Sequence, residues 1–195
     1  MKLLDGKICI VTGAAGSLGL AAAELFLREG ARVTLVDRDA AALQAAASHL
    51  GEHAAHLMVQ TADVADARET AAFVEATLAR WGGLDVLFCN AGVSGEICPV
   101  VDYPEDVFDR VMAVNVRGVF VASQEALRHM GQGGRIVNIG SINAERVPFA
   151  GGVLYVLTKA AVSGMTASLA RDVGPRGITV NALLPGPIDT DMNPA

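Results

Sequence analysis

Six short apolar runs alternate along the chain with longer stretches of helical periodicity. Each run is rich in β-branched residues and is bordered by turn residues, which is typical of strands buried on both faces. Strands separated by helices in this way are parallel and are joined by right-handed crossovers. The pattern predicts an α/β fold with a doubly wound parallel sheet and helices on both faces. The predicted strands are Lys7–Val11, Arg32–Val36, His56–Gln60, Leu84–Phe88, Arg135–Ile139 and Ile178–Leu183.

Three of the intervening stretches carry clear helical signals. In Asp66–Trp81 the apolar residues recur at spacings of three and four, which places them on one helical face. Asp66 followed by Glu69 predicts a capping box at the start of this helix. The stretches Glu105–Met130 and Gly152–Val173 are apolar on more than one face, so we expect them to pack against another subunit.

Composition and charge narrow the classes of function. The chain has 195 residues and a formal net charge of −6, so we expect one domain and no nucleic-acid partner. Three cysteines without C-x-x-C spacing, and four histidines without cysteine partners at ligand spacing, predict free thiols and no metal site. The N-terminal segment fits neither a signal peptide nor a membrane span. We therefore expect a cytoplasmic protein with no membrane partner.

A glycine-rich turn follows the first predicted strand and precedes a helix. Glycines allow a tight turn and let the backbone approach a pyrophosphate closely. The N–H groups at the start of the helix then offer the anion the positive end of the helix dipole. An ordinary strand-to-helix turn is the alternative, but the position of this turn favours dinucleotide binding. The residues predicted to bind are Gly13, Ala15, Gly16, Ser17, Leu18 and Gly19.

An acidic residue, Asp37, ends the second predicted strand. A carboxylate at this point can accept hydrogen bonds from the adenosine ribose hydroxyls, and it would repel a 2′-phosphate. The pattern favours NAD as the cofactor. The neighbouring Arg38 could contact a 2′-phosphate, so NADP stays open as the alternative, and Asp37 could also act only as a turn or helix-capping acid.

Tyr155 and Lys159 are four residues apart in a helical stretch and therefore share one helical face. A phenol has an ordinary pKa near 10 and is a poor base at neutral pH. A nearby ammonium favours the phenolate and so suits the phenol to acid/base work. A surface pair with no chemical role is the alternative interpretation of the spacing alone.

Four further segments occur in order with the glycine-rich turn and the Tyr155/Lys159 pair, and together they span essentially the whole chain. The ordered set resembles the short-chain dehydrogenase/reductase family, in its short single-domain branch and nearest to 3-oxoacyl-reductase-like members. The four segments are Cys89-Asn90-Ala91-Gly92, Val114-Asn115-Val116, the run from Arg135 that closes at Ser141, and Pro185-Gly186-Pro187-Ile188-Asp189-Thr190.

The resemblance implies a role for each residue of the catalytic set. Tyr155 would exchange a proton with the substrate oxygen, and Ser141 would hydrogen-bond that same oxygen. Lys159 would favour the phenolate of Tyr155 and hold the nicotinamide ribose. Asn115 would bend its helix and hold a water that relays protons through Lys159. Plainer interpretations are a strand-end hydroxyl for Ser141 and a packed polar side chain for Asn115.

The resemblance also implies the rest of the cofactor site, a sheet order of 3-2-1-4-5-6 and a homodimer or homotetramer. Asp63 and Val64 would contact adenine, although Asp63 could instead cap the following helix. The segment beside the adenosine ribose would be Asn90, Ala91 and Gly92. The segment around the nicotinamide would comprise Pro185, Gly186, Ile188 and Thr190, with further contacts from Tyr155 and Lys159.

Two features depart from the family pattern. Ser17 occupies the usual middle-glycine position, and the Gly13-x-x-Gly16-x-x-Gly19 spacing resembles the longer, epimerase-like branch. The sequence stops at Ala195, before the family's seventh strand, and its last residues resemble the start of a substrate loop. We therefore expect 1–195 to be a single dinucleotide-binding domain with a built-in catalytic site, truncated at its C-terminus relative to the family.

The sequence favours an NAD(P)(H)-dependent oxidoreductase that moves a hydride between nicotinamide and a secondary alcohol or ketone. The alternatives are a non-catalytic NAD(H)-binding module and an NAD-dependent epimerase-like enzyme. We expect the loops Ser94–Val101 and Asn143–Leu154 to line the substrate pocket. Their apolar residues indicate a fairly apolar small-molecule alcohol or carbonyl substrate.

Overall fold

Six parallel strands form one sheet in the computed structural model, which describes residues 2–147, 149–190 and 193. Their order across the sheet is 3-2-1-4-5-6, so the predicted doubly wound topology is confirmed. The neighbours β1 and β4 mark the point where the strand order reverses, and a crevice opens there in sheets of this kind. The strands are β1 (Ile8–Thr12), β2 (Arg32–Asp37), β3 (Leu57–Thr61), β4 (Val86–Cys89), β5 (Arg135–Ile139) and β6 (Thr179–Leu183).

Helices connect the strands and cover both faces of the sheet. They form because the intervening stretches keep an apolar stripe at helical spacing, which the sheet then buries. The α-helices are α1 (Ser17–Arg28), α2 (Ala40–His49), α3 (Ala67–Trp81), α4 (Glu105–Met112), α5 (Val119–His129) and α6 (Val153–Val173).

Two buried clusters hold the layers together, one on each face of the sheet. Alternate strand residues point to opposite faces, so Ile10 joins one cluster whereas its neighbours Cys9 and Val11 join the other. Phe73 from α3 and Leu43 from α2 are fully buried on the two opposite sides. Burial of one such side chain stabilises the fold by roughly 1.5–3 kcal/mol.

The start of α3 confirms one half of the predicted capping box and corrects the other. Asp66 caps the helix by accepting hydrogen bonds from the N–H groups of Arg68 and Glu69, at 2.7 and 3.4 Å. The Glu69 carboxylate does not return to the Asp66 N–H but accepts from the N–H of Asp63 at 2.7 Å. The reason is that the Asp66 N–H already donates to the carbonyl of Asp63, at 3.0 Å.

The single helix predicted over Glu105–Met130 is wrong in one respect, because a π-helical turn over Ala113–Gly118 separates α4 from α5. Gly118 lies in this turn, and a Cβ added to it would be 3.1 Å from the side chain of Val64. The turn contains Asn115, the residue to which the family resemblance assigns a bend.

The helix that carries Tyr155 is unusually apolar. Residues Val153–Arg176 are long and apolar enough to cross a membrane by length and composition, with a mean hydropathy of 1.4. In this fold the helix packs against β5 and β6, and Leu154, Val162 and Val173 are buried. Packing against the sheet therefore accounts for the apolar residues on the buried side of the helix, whereas Val153 and Leu157 remain exposed. The predicted loop start at 188–195 falls partly outside the described residues.

Candidate functional site

The glycine-rich turn is packed tightly against the loop that follows β4. Gly13 has a φ of +64°, and an added Cβ would be 2.8 Å from the Ala91 Cα and 2.9 Å from the Asn90 Nδ2. A Cβ at Gly19 would be 2.8 Å from the same Asn90 nitrogen. Glycine is therefore required at both positions by the protein itself. At Gly16, in contrast, a Cβ would meet only the Gly13 carbonyl oxygen, at 3.6 Å.

Hydrogen bonds made by Thr12 and Asn90 hold this turn against the loop after β4. The sequence analysis did not predict a role for Thr12. The Thr12 hydroxyl oxygen accepts hydrogen bonds from the N–H groups of Asn90 and Ala91, at 3.1 and 3.2 Å. The Asn90 side chain donates to the Gly13 carbonyl at 2.9 Å. A sequence signal for this role was the Thr-Gly pair at the end of the first strand, because a hydroxyl at that point can hydrogen-bond the end of an adjacent strand.

The N-terminus of α1 offers backbone N–H groups to an anion. Its N-cap is Gly16, which makes no side-chain capping bond, and its first turn holds no acidic residue. Ser17 begins the helix, and Leu18 and Gly19 follow it. The positive end of the helix dipole is therefore not neutralised by a carboxylate of its own first turn, which suits a phosphate.

A cleft of about 130 Å³ lies beside this turn, at the carboxyl ends of β1, β2, β3 and β4. It brings together seven residues that were predicted from the sequence to bind cofactor, and Val36, Ala62, Val93 and Val114 complete the lining. The apolar members suit an adenine ring, and the charged members lie at positions that can hydrogen-bond a ribose. The seven predicted residues are Gly13, Asp37, Arg38, Asp63, Val64, Ala91 and Gly92.

The two acidic residues of the cleft also bond to backbone. The Asp37 carboxylate accepts from the N–H groups of Ala15 and Asp39, at 3.1 and 3.2 Å. The Asp63 carboxylate accepts from the Ala65 N–H at 2.9 Å, so it forms a local turn, whereas the cap of α3 is Asp66. Arg38 is exposed at the edge of the cleft.

Tyr155 and Lys159 lie one helical turn apart on α6, as predicted. The Lys159 Nζ is 5.6 Å from the centroid of the Tyr155 ring and donates to the carbonyl of Ile139 at 2.9 Å. Lys159 is buried and Tyr155 is half-buried. Burial disfavours the charged ammonium and lowers the pKa of Lys159 to about 8. The end of β5 thus fixes the ammonium beside the phenol ring.

Asn115 connects three parts of the site. Its side-chain oxygen accepts from the Val93 N–H, and its side-chain nitrogen donates to the Val93 carbonyl, both at 2.8 Å. The same nitrogen donates to the Thr158 hydroxyl at 3.2 Å, and that hydroxyl donates to the Tyr155 carbonyl at 2.8 Å. Thr158 was not predicted, although it stands directly before Lys159 on the buried face of the helix. A Cβ on Gly92 would be 3.4 Å from the Asn115 oxygen and 3.8 Å from the Lys159 Nζ.

Ser141 and the predicted nicotinamide segment meet beyond the end of β5. Ser141 is a buried residue, and its hydroxyl oxygen accepts a hydrogen bond from the Asn143 N–H at 3.1 Å. The next residue, Ile142, donates its N–H to the Pro185 carbonyl at 3.1 Å, and a Cβ on Gly186 would be 3.7 Å from the Ile142 side chain. Beyond this contact, the Ile188 carbonyl and both backbone groups of Thr190 are bonded to Asn193.

The thiols of Cys9 and Cys89 offer little reactivity. Cys9 and Cys89 are buried, and burial raises the pKa of each thiol to about 12. Within residues 2–147, 149–190 and 193, no cluster of three His, Cys, Asp or Glu side chains is placed to hold a metal ion.

Comparison with known proteins places the chain in a broad family. Residues 7–195 match the family described as short chain dehydrogenase. The chain is 38% identical over 195 residues to a cyclic-di-GMP-binding biofilm dispersal mediator protein of Escherichia coli K12, spanning 100% of this chain and 78% of that protein. It is 42% identical over 191 residues to a 2-(R)-hydroxypropyl-CoM dehydrogenase of Xanthobacter autotrophicus, spanning 95% of this chain and 76% of that protein.

Solved structures agree with this placement. A short chain dehydrogenase from Burkholderia cenocepacia J2315, in complex with NADP, superposes with a TM-score of 0.94 at 44% identity, covering 98% of this chain and 78% of that one. An NAD⁺-bound xylitol dehydrogenase superposes with a TM-score of 0.89 at 35% identity, covering 95% of this chain and 72% of that one. Similar proteins therefore bind either dinucleotide.

Proposed function

The chain belongs to the short-chain dehydrogenase/reductase family, and from that premise we propose that it is an alcohol dehydrogenase or ketoreductase that uses Tyr155 as its general acid/base. The observation that carries the proposal is the pairing of Tyr155 with the buried Lys159 on α6. A cation beside the ring favours the phenolate form, which is what a phenol that works as an acid/base requires.

The proposed chemistry assigns each nearby side chain one task. In the direction of reduction, the Tyr155 hydroxyl donates its proton to the carbonyl oxygen of the substrate. Ser141 uses its hydroxyl hydrogen to bond the same oxygen as negative charge develops there. Lys159 stabilises the phenolate that Tyr155 leaves behind. Asn115 holds the loop at Val93 against α6 through its three hydrogen bonds.

We propose that the cleft receives the adenosine half of a nicotinamide dinucleotide, which would supply or accept the hydride when bound. We propose that the start of α1, from Gly16 to Gly19, holds the pyrophosphate. Asp63, Val64 and the Asn90–Gly92 segment would hold the adenosine half. The opposite half would be held by Tyr155, Lys159 and the segment that contains Pro185, Gly186, Ile188 and Thr190.

We propose that NAD is preferred to NADP. The Asp37 carboxylate lines the cleft at the end of β2, and it would accept hydrogen bonds from ribose hydroxyls but repel a 2′-phosphate. Arg38 is exposed next to it and is the group through which NADP could still bind. The preference is expected to be moderate, because attraction by Arg38 partly offsets repulsion by Asp37.

The proposal is tested by a titration and an assay performed on one protein preparation. Binding is followed by the change in NADH and NADPH fluorescence, and turnover is followed at 340 nm with a panel of ketones, aldehydes and secondary alcohols. We expect NADH to bind more tightly than NADPH and at least one carbonyl compound to be reduced. Binding of NADH without any turnover would instead favour a non-catalytic dinucleotide-binding module. Activity on nucleotide-sugars alone would favour an epimerase.

We also propose that the chain self-associates into a homodimer or homotetramer through the outer sides of α5 and α6. Phe120 and Leu157 remain 48% and 42% exposed on these helices, so packing against a second copy would remove their apolar surface from water. Sedimentation equilibrium of the wild type and of Phe120→Glu tests this. We expect the charged variant to shift the assembly toward the monomer, and identical masses would contradict the proposal.

We infer a cytoplasmic location for the protein. Its cysteines are free, and Cys9 and Cys89 sit in the two buried clusters as reduced thiols. Such thiols suit a reducing compartment. Fractionation of cells that produce the tagged chain checks this, and recovery in the membrane or extracellular fraction would contradict it.

A further inference from the structure

The carboxylate of Asp37 connects two separate turns beside the cleft. Its Oδ2 accepts a hydrogen bond from the Ala15 N–H at 3.1 Å, and its Oδ1 accepts one from the Asp39 N–H at 3.2 Å. Ala15 belongs to the glycine-rich turn between β1 and α1, 22 positions before Asp37. The side chain therefore fastens that turn to the end of the neighbouring strand.

The other anchors of the turn use different groups. The Ala14 N–H donates to the Val36 carbonyl at 3.1 Å, and the Asn90 side chain donates to the Gly13 carbonyl at 2.9 Å. The N–H groups of Ala14 and Ala15 thus both donate hydrogen bonds to the end of β2, the first to the Val36 carbonyl and the second to the Asp37 carboxylate. Gly16, the N-cap of α1, contributes no side-chain bond that could replace the carboxylate.

Each carboxylate oxygen can accept about two hydrogen bonds. Because each Asp37 oxygen receives one bond from the backbone, each retains capacity for a ribose hydroxyl. We propose that Asp37 is a positioning residue for the glycine-rich turn as well as the group that selects the cofactor. The hydrogen bond from Ala15 to Asp37 forms without any cofactor, whereas the role of Asp37 in selecting NAD over NADP rests on the proposed function.

This double role changes what a substitution at Asp37 does. Removal of the carboxylate relieves the repulsion of a 2′-phosphate, but it also frees the Ala15 N–H and loosens the turn that receives the pyrophosphate. Asp37→Ala is therefore expected to weaken NADH binding without a gain for NADPH. Asp37→Asn keeps an amide oxygen that can accept from Ala15, so it relieves the repulsion while the turn stays fixed.

The experiment measures the turn and the cofactor separately. Amide hydrogen exchange at Ala15 is followed by NMR in the protein without added cofactor, for the wild type, Asp37→Ala and Asp37→Asn. Asp39→Ala is the matched control, because the Asp39 carboxylate also accepts two backbone bonds, from Ala41 and Ala42, but caps α2 instead. NADH and NADPH affinities of each variant follow by fluorescence titration. If Asp37→Ala does not fold, Asp37→Ser replaces it.

We expect amide exchange at Ala15 to be about tenfold faster in Asp37→Ala, because the hydrogen bond from the Ala15 N–H to the carboxylate is lost. Exchange at Ala15 should be unchanged in Asp37→Asn and Asp39→Ala. NADPH should bind Asp37→Asn about tenfold more tightly than Asp37→Ala. Unchanged exchange at Ala15 in Asp37→Ala, or equal NADPH affinity of the two variants, would overturn the proposal. Faster exchange in a protein whose wild type binds neither dinucleotide would support the positioning role and contradict the proposed function.

Discussion

The side-chain nitrogen of Lys159 lies 5.6 Å from the centre of the Tyr155 ring and is held there by the Ile139 carbonyl. The strand β5 thus fixes the position of a cation that α6 brings beside a phenol. A lysine buried to this degree is kept at a cost in folding stability, and such groups concentrate at functional sites. The position of Lys159 therefore affects both the stability of the fold and the proposed chemistry at Tyr155.

Substitution of Lys159 by methionine should stabilise the protein in a pH-dependent way. Burial lowers the pKa of Lys159 from 10.5 to about 8, so below about pH 8 the folded protein carries a poorly solvated ammonium. Lys159→Met removes that ammonium and should raise the free energy of unfolding at pH 7 by on the order of 1–3 kcal/mol.

The gain should shrink as the pH rises from about 8 toward 10.5, because the wild-type unfolded chain then binds more protons than the folded one and wild-type stability increases. Urea unfolding at pH 7 and at pH 10 measures the difference. A difference that stays constant or widens with pH would contradict the assignment of a buried, charged lysine.

Two alanine substitutions in the glycine-rich turn should separate stability from binding. Gly13→Ala places a Cβ 2.8 Å from Ala91 at a φ of +64°, and should cost roughly 2 kcal/mol or more in unfolding free energy. Gly16→Ala is compatible with its φ of −79° and would contact only the Gly13 carbonyl oxygen, so it should cost less than Gly13→Ala, about 0.5–1 kcal/mol, because alanine is a poorer helix N-cap than glycine.

Gly16→Ala should nevertheless weaken NADH binding, because its methyl group occupies the open side of the turn at the start of α1. Thermal unfolding and NADH titration of both variants check these expectations. Unaltered NADH affinity in Gly16→Ala would indicate that the pyrophosphate does not approach this part of the turn.

Loss of the Asn115 side chain should destabilise the junction of the Val93 loop, the π-helical turn and α6. Asn115→Ala leaves the half-buried N–H and carbonyl of Val93 without their partner, which should cost about 2–4 kcal/mol. The matched control is Asn181→Ala on the exposed side of β6, which should change stability by less than about 0.5 kcal/mol. Equal effects in guanidinium unfolding would show that the Asn115 bonds contribute little.

Most of the fold followed from the sequence because strands buried on both faces need continuous apolar runs. The predicted runs coincide with β1 to β6 within two residues at each end. The π-helical turn at Ala113–Gly118 was not predicted from periodicity, since apolar spacing continues through the segment. Within the turn, Gly118 lies close to Val64, and a contact between such distant parts of the chain has no signal in local spacing.

The candidate site was predictable where a side chain belongs to an ordered set of motifs, as with Tyr155 and Lys159. The supporting hydroxyls of Thr12 and Thr158 were not predicted, because a buried threonine bonded to backbone or amide groups has no distinctive sequence spacing. The bond between Asp37 and Ala15 was hidden for the same reason, since it joins residues 22 positions apart.

The central claim, that the phenol of Tyr155 transfers the proton during hydride transfer, is tested most directly by Tyr155→Phe. The control is Tyr103→Phe, which also removes one phenol hydroxyl; that hydroxyl accepts a hydrogen bond from the Glu96 N–H at 2.9 Å. With the best carbonyl substrate, we predict that Tyr155→Phe lowers turnover by about a thousandfold. NADH affinity should stay within about fivefold, as for loss of a single hydrogen bond. A Tyr155→Phe protein that keeps turnover comparable to that of Tyr103→Phe would contradict the account.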